Sequence, residues 1–447
     1  MPRDRGKRKT SRAGTLHRAM IVLDGLGDRA NPALGGKTAL EAAHTPNLDR
    51  LVSQGVLGRA LPVGPGIAPE SDAGVLGLLG YDPRKDSPGR GVLEAEGLGI
   101  PLQKGEIAFR CNFATLDAKG FVKDSRVGRS LTTREASRLA EALTRARLLR
   151  REGVRCRVLA TVGHRGVVLL SPRVPGILSD EISNSDPFYT KQGGLGRALR
   201  PRHPQPRVVC PLSRSRSAQR TARLANLLLS RIGPLLDSHP VNRRRRESGQ
   251  MEANTLLLRD AGRVGRGLPL FRTKWGLRGA ALTEMPVERG LARLLGLRDV
   301  FVGPLKEGHK EAGLRARAQR TLELLQTFPF VYVHLKGPDE PGHDGDAQRK
   351  KDVIEMLDSC YFGPLLSGLD LAGVRVLVTA DHATPCSLKG HSADPVPLIL
   401  AGGPQSERAI RPLVKFSERS ARLGSLGTLS GPEIMDCLIR DPRTADG

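Results

Sequence analysis

The sequence predicts an α/β protein, a mostly parallel sheet with helices on both faces, interrupted by an inserted α+β domain. Three observations carry this. Short apolar runs recur and end in loops rich in Gly, Asp or His, the pattern of strands buried on both faces. Helical patterns lie between several of these runs, and strand–helix alternation builds parallel sheets. The stretch from Gly105 to Asn254 has a different texture, so the main domain is expected to be discontinuous over 19–104 and 255–447, with the insert at 105–254.

Met1 to Arg18 are basic and polar without periodic apolar positions and read as a disordered extension. The first strand is Ala19 to Leu23, stopped by Asp24-Gly-Leu-Gly27. A Gly/Pro-rich loop from Gly64 to Pro69 leads to Ser71 and a short apolar helical stretch. Within the insert, strands are expected at Val154 to Thr161 and Gly166 to Leu170, and helices at Thr133 to Leu149 and Ser217 to Ile232. The run Arg243 to Arg246 reads as a solvated face. Beyond it, Leu277 to Leu282 and Asp299 to Val302 bracket a helix at Val287 to Leu295. Phe330 to Leu335, Val374 to Ala380 and Pro397 to Ala401 complete the strands, with a helical pattern from Lys350 to Leu357 between the first two.

Composition narrows the function. Of 447 residues, 71 are Lys or Arg and 46 Asp or Glu, a formal charge of +25. The basic residues are spread along the chain and only 3% of residues are aromatic, so neither a concentrated basic patch nor a base-stacking surface is present, and no nucleic-acid partner is expected. No apolar stretch approaches the roughly 18 residues of a membrane span, and no apolar core follows the basic N-terminus. A cytoplasmic location is the default expectation. Six Cys form no CxxC pair and read as reduced thiols.

The chemistry lies where strands end. Asp24 follows the first strand, Asp339 and His343 follow another, Asp381 and His382 terminate a third, and His391 comes soon after. Taken singly, an Asp after a strand is a turn former and a lone His is structural. Together, carboxylates and imidazoles suit Mn²⁺, Mg²⁺ or Zn²⁺, in sufficient number for two neighbouring ions. Paired metals about 4 Å apart activate a nucleophile and clamp a transferring phosphoryl group. Ser71 offers the nucleophile: alone it reads as an N-cap, but a helix start also stabilises a phosphate.

Asp24-Gly-Leu-Gly-Asp28, Lys37-Thr38, Thr45-Pro-Asn-Leu-Asp49, Pro69-Glu-Ser-Asp72, Gly80-Tyr-Asp-Pro83, Gly89-Arg-Gly91 with Glu94-Ala95, Asp339 with His343, Asp381-His382 and His391-Ser392 follow in order. In that order they resemble the archaeal-type, cofactor-independent phosphoglycerate mutases of the alkaline phosphatase superfamily. The resemblance implies an alkaline phosphatase-like domain holding two divalent ions, Mn²⁺ first, with Mg²⁺, Zn²⁺ or Co²⁺ also accommodated, and no bisphosphoglycerate. By position Asp24, Ser71, Asp381 and His382 would surround one ion, and Asp339, His343 and His391 the other. Ser71 would take the phosphoryl group of 3-phosphoglycerate and return it to the other hydroxyl, giving 2-phosphoglycerate, a glycolytic step. The insert would close over substrate, with Arg126 and Arg129 of Asp124-Ser-Arg-Val-Gly-Arg129 as ligands and Asp124 as proton relay. Arg90, Arg110 and Lys336 are further substrate candidates. The chain departs from the archaeal pattern at Ala73-Gly74-Val75, Ser125 and Val127. A homoserine kinase-like phosphotransferase or a phosphomonoester hydrolase would use the same serine and metals.

Overall fold

The computed structural model describes residues 16–192, 195–199, 201–264, 268–403 and 414–440. The basic extension expected over 1–18 lies outside the described residues up to residue 15, and the first strand already begins at His17.

The strands in chain order are β1 (His17–Leu23), β2 (Gly55–Leu61), β3 (Ile107–Leu116), β4 (Val122–Asp124), β5 (Val154–Ala160), β6 (Arg165–Pro172), β7 (Tyr189–Gln192), β8 (Leu195–Ala198), β9 (Thr255–Gly262), β10 (Gly279–Thr283), β11 (Arg298–Phe301), β12 (Phe330–Leu335), β13 (Val374–Thr379), β14 (Val396–Gly402) and β15 (Thr428–Ser430). Eight of them form the main sheet in the order β11-β10-β12-β1-β13-β14-β2-β15. The five from β11 to β13 are parallel, and β14 runs antiparallel to both neighbours. The α/β class with a mostly parallel sheet is thus observed.

Every residue of β12 and β13 is buried, which matches their near-continuous Val, Leu and Phe content. Three central strands, β12, β1 and β13, run side by side in one direction. Their carboxyl ends therefore open at one edge, where ligands bind on such sheets. Asp24, Lys336 and Asp381 all lie within two residues of those ends.

A second sheet takes the order β4-β3-β6-β5, with β9 on the other side of β3. It is antiparallel and covers its own apolar core of Phe109, Phe113, Leu139, Val168, Leu228 and Leu256. The strand β9 shifts one expected boundary. Residues 255–262, assigned from sequence to the main domain, pair with Ala108 to Ala114 in the second sheet, because the run Leu256-Leu-Leu258 is needed beside β3. The long helix of this layer, Arg216–Asp237, extends beyond its expected end and carries Pro234 inside it. The helix expected over Thr133 to Leu149 stops at Arg145, and Arg147 takes a positive φ of 50°.

The arginine run is not wholly solvated. Arg245 on the helix Pro240–Glu247 is buried and donates to Met251 O, Ser130 Oγ and both oxygens of Glu135. It clamps the helix Thr133–Arg145, whose first turn supplies Glu135.

The two layers meet through glycine. On the helix Pro286–Leu294, a Cβ at Gly290 would lie 1.8 Å from Leu93 O on the helix Arg90–Gly97, so the backbones touch only because no side chain intervenes. That contact seats the helix bearing Arg90 and Glu94 between the helix Pro286–Leu294 and β3.

Candidate functional site

Asp24, Asp339, Asp381, His343, His382 and His391 lie in one cluster. Ligand atoms of Asp339, His343 and His391 lie within 4.8 Å of one another, as do those of Asp24, Asp339 and His382. Ser71 opens the helix Ser71–Leu78, with its Oγ 3.3 Å from His382 Nε2. It is the first helical residue and not the cap, since Glu70 holds that place without a side-chain bond. Gly74, three residues on, lies within the departing stretch Ala73-Gly74-Val75. A Cβ there would lie 2.3 Å from Asp381 O, so the nucleophile helix rests directly on the loop that carries Asp381 and His382.

Hydrogen bonding fixes the histidine tautomers. The Thr384 hydroxyl gives its one proton to Asp339 Oδ1 at 2.7 Å, so it accepts from His382 Nδ1 at 3.0 Å. His382 Nε2 is left bare, facing Asp381 Oδ2 at 3.3 Å and Asp24 Oδ1 at 3.4 Å. His391 Nδ1 donates to Pro69 O at 2.8 Å and His343 Nδ1 to Lys389 O at 3.3 Å, which turns both Nε2 atoms inward. Asp24 Oδ1 and Asp381 Oδ2 are buried and accept no hydrogen bond. Bare nitrogens facing bare carboxylate oxygens are repulsive unless a proton or cation lies between them. The donor set therefore fits divalent cations.

The field of the site is negative on this side. Burial opposes charge on His391, yet the hydrogen bond to Asp339 and the charges of Glu70 and Asp339 raise its pKa to about 10. Burial would raise the Asp339 carboxyl, but with histidines around it the group is held below the usual range.

Facing it is a cationic basin. Arg90 lies 3.5 Å from Asp72 Oδ1 and from Glu94 Oε1, and Arg110 lies 3.4 Å from the same Glu94 oxygen. Two further arginines join them that sequence reading missed. Arg259 on β9 is buried, stacks 3.3 Å over the Tyr189 ring, and leaves Nη1 without a hydrogen-bond partner, as does Arg110. Arg165 starts β6 beside His164. Burial, then the charges of Arg165, Arg126, Arg110 and Arg129, lower the His164 pKa to about 3. The available signal for Arg259 was an adjacent pair of charges, Arg259-Asp260, following Leu256-Leu-Leu258 in an otherwise apolar strand.

Arg126 and Arg129 themselves are exposed, and Asp124 is half-buried with its Oδ1 accepting from Arg126 N at 2.6 Å. Lys336 is directed elsewhere, its Nζ lying 2.9 Å from both Asp24 Oδ2 and Glu288 Oε1. A cavity of about 280 Å³ joins Asp72, Ala73 and Arg90 to Asp180, Lys191 and Asp260 of the second layer.

Comparison with known proteins settles the lineage. A family described as 2,3-bisphosphoglycerate-independent phosphoglycerate mutase matches residues 53–242. A protein of that name from Aeropyrum pernix is 45% identical over 92% of this chain and 96% of its own length. The chain belongs to this mutase family. Another member, from Methanoculleus marisnigri, is 40% identical over 94% of this chain and 95% of its own. The structure of a cofactor-independent phosphoglycerate mutase from Thermoplasma acidophilum matches with a TM-score of 0.61 at 32% identity, covering 95% of this chain and 98% of that one. A Pyrococcus horikoshii protein gives a TM-score of 0.75 at 29% identity, covering 95% and 97%. Members of this family are named as isomerases, and the chain shares their scaffold over most of its length. Among the described residues no helix is long and apolar enough to cross a membrane.

Proposed function

We propose that the chain interconverts 3-phosphoglycerate and 2-phosphoglycerate with two divalent cations, Mn²⁺ foremost, and with Ser71 as the phosphoryl carrier. The observation that carries this reading is the Ser71 hydroxyl, 3.3 Å from the bare Nε2 of His382 at the head of a helix. Asp24, Asp381, His382 and Ser71 would hold one ion, and Asp339, His343 and His391 the other. When bound, the ions lower the serine hydroxyl pKa and neutralise phosphoryl charge.

The chain's own groups do the rest. The first amides of the helix Ser71–Leu78 lack partners within the helix and receive phosphoryl oxygens. Ser71 Oγ bonds to phosphorus as the substrate's O3 leaves with a proton. Arg110 and Arg259, with unsatisfied N–H groups, hold the glycerate carboxylate as it turns within the closed cavity, joined by Arg90, Arg126, Arg129 and Arg165. Asp124 passes the proton between the two glycerate hydroxyls. The O2 hydroxyl then takes the phosphoryl group and Ser71 is released. The insert, 105–262 by its strand pairing, is the layer that closes over substrate.

The test is purified protein with Mn²⁺ and 3-phosphoglycerate, without bisphosphoglycerate, read by coupling 2-phosphoglycerate to enolase. Product formation is expected. Release of inorganic phosphate instead, or phosphorylation of homoserine from ATP, would reject the mutase.

A further inference from the structure

His334, near the end of β12, and Lys336, just past it, share one face. That face meets Glu288, from the first turn of the helix Pro286–Leu294. One Glu288 oxygen accepts from its own helix start, Glu284 N at 2.8 Å and Met285 N at 3.2 Å, and is thereby immobilised. The other lies 2.9 Å from Lys336 Nζ and 3.4 Å from His334 Nδ1.

Asp24 is divided in the same way. Its Oδ2 is 2.9 Å from Lys336 Nζ, and its Oδ1 faces His382 and accepts no hydrogen bond. Two buried carboxylates, Asp24 and Glu288, each 5% exposed, could not stand this close without a cation between them. The ammonium supplies that cation covalently. His334 makes a longer parallel link, its Nε2 being 3.5 Å from Asp381 Oδ2.

We propose that Lys336 is a positioning residue whose ammonium, fixed between Asp24 and Glu288, acts as a built-in cation of the metal centre. It takes up one oxygen of Asp24 and leaves the other turned toward His382 and Asp381 for a divalent ion. Glu288 anchors the ammonium to the neighbouring helix. Lys336 then acts through Asp24 and is not a ligand of the substrate. The inference rests on the metal-dependent reading above.

The experiment titrates metal-free protein with Mn²⁺ and counts free ion by electron paramagnetic resonance, in the wild type, Lys336→Met, Lys336→Arg and Glu288→Gln. Outer partners of metal ligands are worth about 10–100-fold in affinity. Lys336→Met is expected to weaken one of the two ions about tenfold or more and leave the other unchanged, with Lys336→Arg recovering most of the loss and Glu288→Gln showing a smaller one. In turnover, kcat falls while KM stays within about twofold. Unchanged Mn²⁺ affinities with a raised KM would make Lys336 a substrate contact and overturn the inference. So would a lowered melting temperature of the metal-free variants with both affinities intact, the mark of a purely structural residue. A wild type that bound no Mn²⁺ would remove the metal-dependent reading itself, an outcome separate from any difference among the variants.

Discussion

His343 and His391 point their Nε2 atoms at each other across 3.2 Å. Each ring gives its Nδ1 hydrogen to a backbone carbonyl, so the second proton that the acidic surroundings hold on His391 sits on Nε2, facing His343 and Asp339. Asp339 lies within 3.6 Å of both. On the metal-dependent reading, a divalent ion would displace that proton and take these three side chains as ligands. Chelation should therefore abolish activity and lower the melting temperature. Restoring Mn²⁺ at about a hundred times its dissociation constant should return about 2.7 kcal/mol. His391→Ala should bind one ion fewer by elemental analysis.

Ser71→Ala should lose turnover by about a thousandfold or more while retaining both metals. Because Ser71 is the first helical residue and caps nothing through its side chain, unfolding stability should change by less than about 0.5 kcal/mol. A variant that still turned over would exclude the serine as nucleophile.

Gly74→Ala places a methyl group 2.3 Å from the Asp381 carbonyl oxygen, where only backbone movement makes room. Such overpacking costs about 1–3 kcal/mol. The displaced partner carries Asp381 and His382, so metal affinity and kcat should fall together, as titration and kinetics would reveal. Intact metal affinity would show that the helix shifts instead of the loop.

Arg259→Ala removes a buried guanidinium with an unsatisfied N–H, and hydrogen bonds to charged groups are worth about 1.5–3 kcal/mol. The KM for phosphoglycerate should rise about 10–100-fold with metal binding unchanged. Arg259→Lys should recover little, because the planar stack on Tyr189 is lost.

Burial raises the Glu418 carboxyl from 4.5 to about 7, against the lowering effects of its bonds from Thr38 Oγ and Asp28 N and of the Lys350 charge. The folded chain therefore holds an extra proton between those values. Its contribution is fully present below pH 4.5 and is lost as pH rises through about 7. Glu418→Gln should flatten that part of the stability curve, measured by denaturant unfolding at several pH values. An unchanged difference between the two proteins across the window would exclude Glu418 as the titrating group.

Much of the site was legible because its residues sit at strand ends. An apolar run followed by Asp24, or by Asp381-His382, announces both a buried strand and a polar group at its carboxyl edge. The adjacency of β12, β1 and β13 is what makes those separate announcements one site. No local pattern encodes that adjacency. Arg259 and Glu288 went unread for the same reason, since each looks like an ordinary charge on its own element until β9 pairs with β3 and Glu288 meets Lys336 beyond the end of β12.

The sequence by itself determined the α/β class, the candidate ligands and the serine, because period, turn residues and donor chemistry are local properties. Only the tertiary structure decided how charge is shared among them. Hydrogen bonds through Thr384, Pro69 and Lys389 choose which nitrogen of each histidine faces the site. A fixed Glu288 draws Lys336 to Asp24. Tautomer and ion-pair partner depend on distances of a few ångströms between segments hundreds of residues apart, and those distances exist only once the sheet has formed.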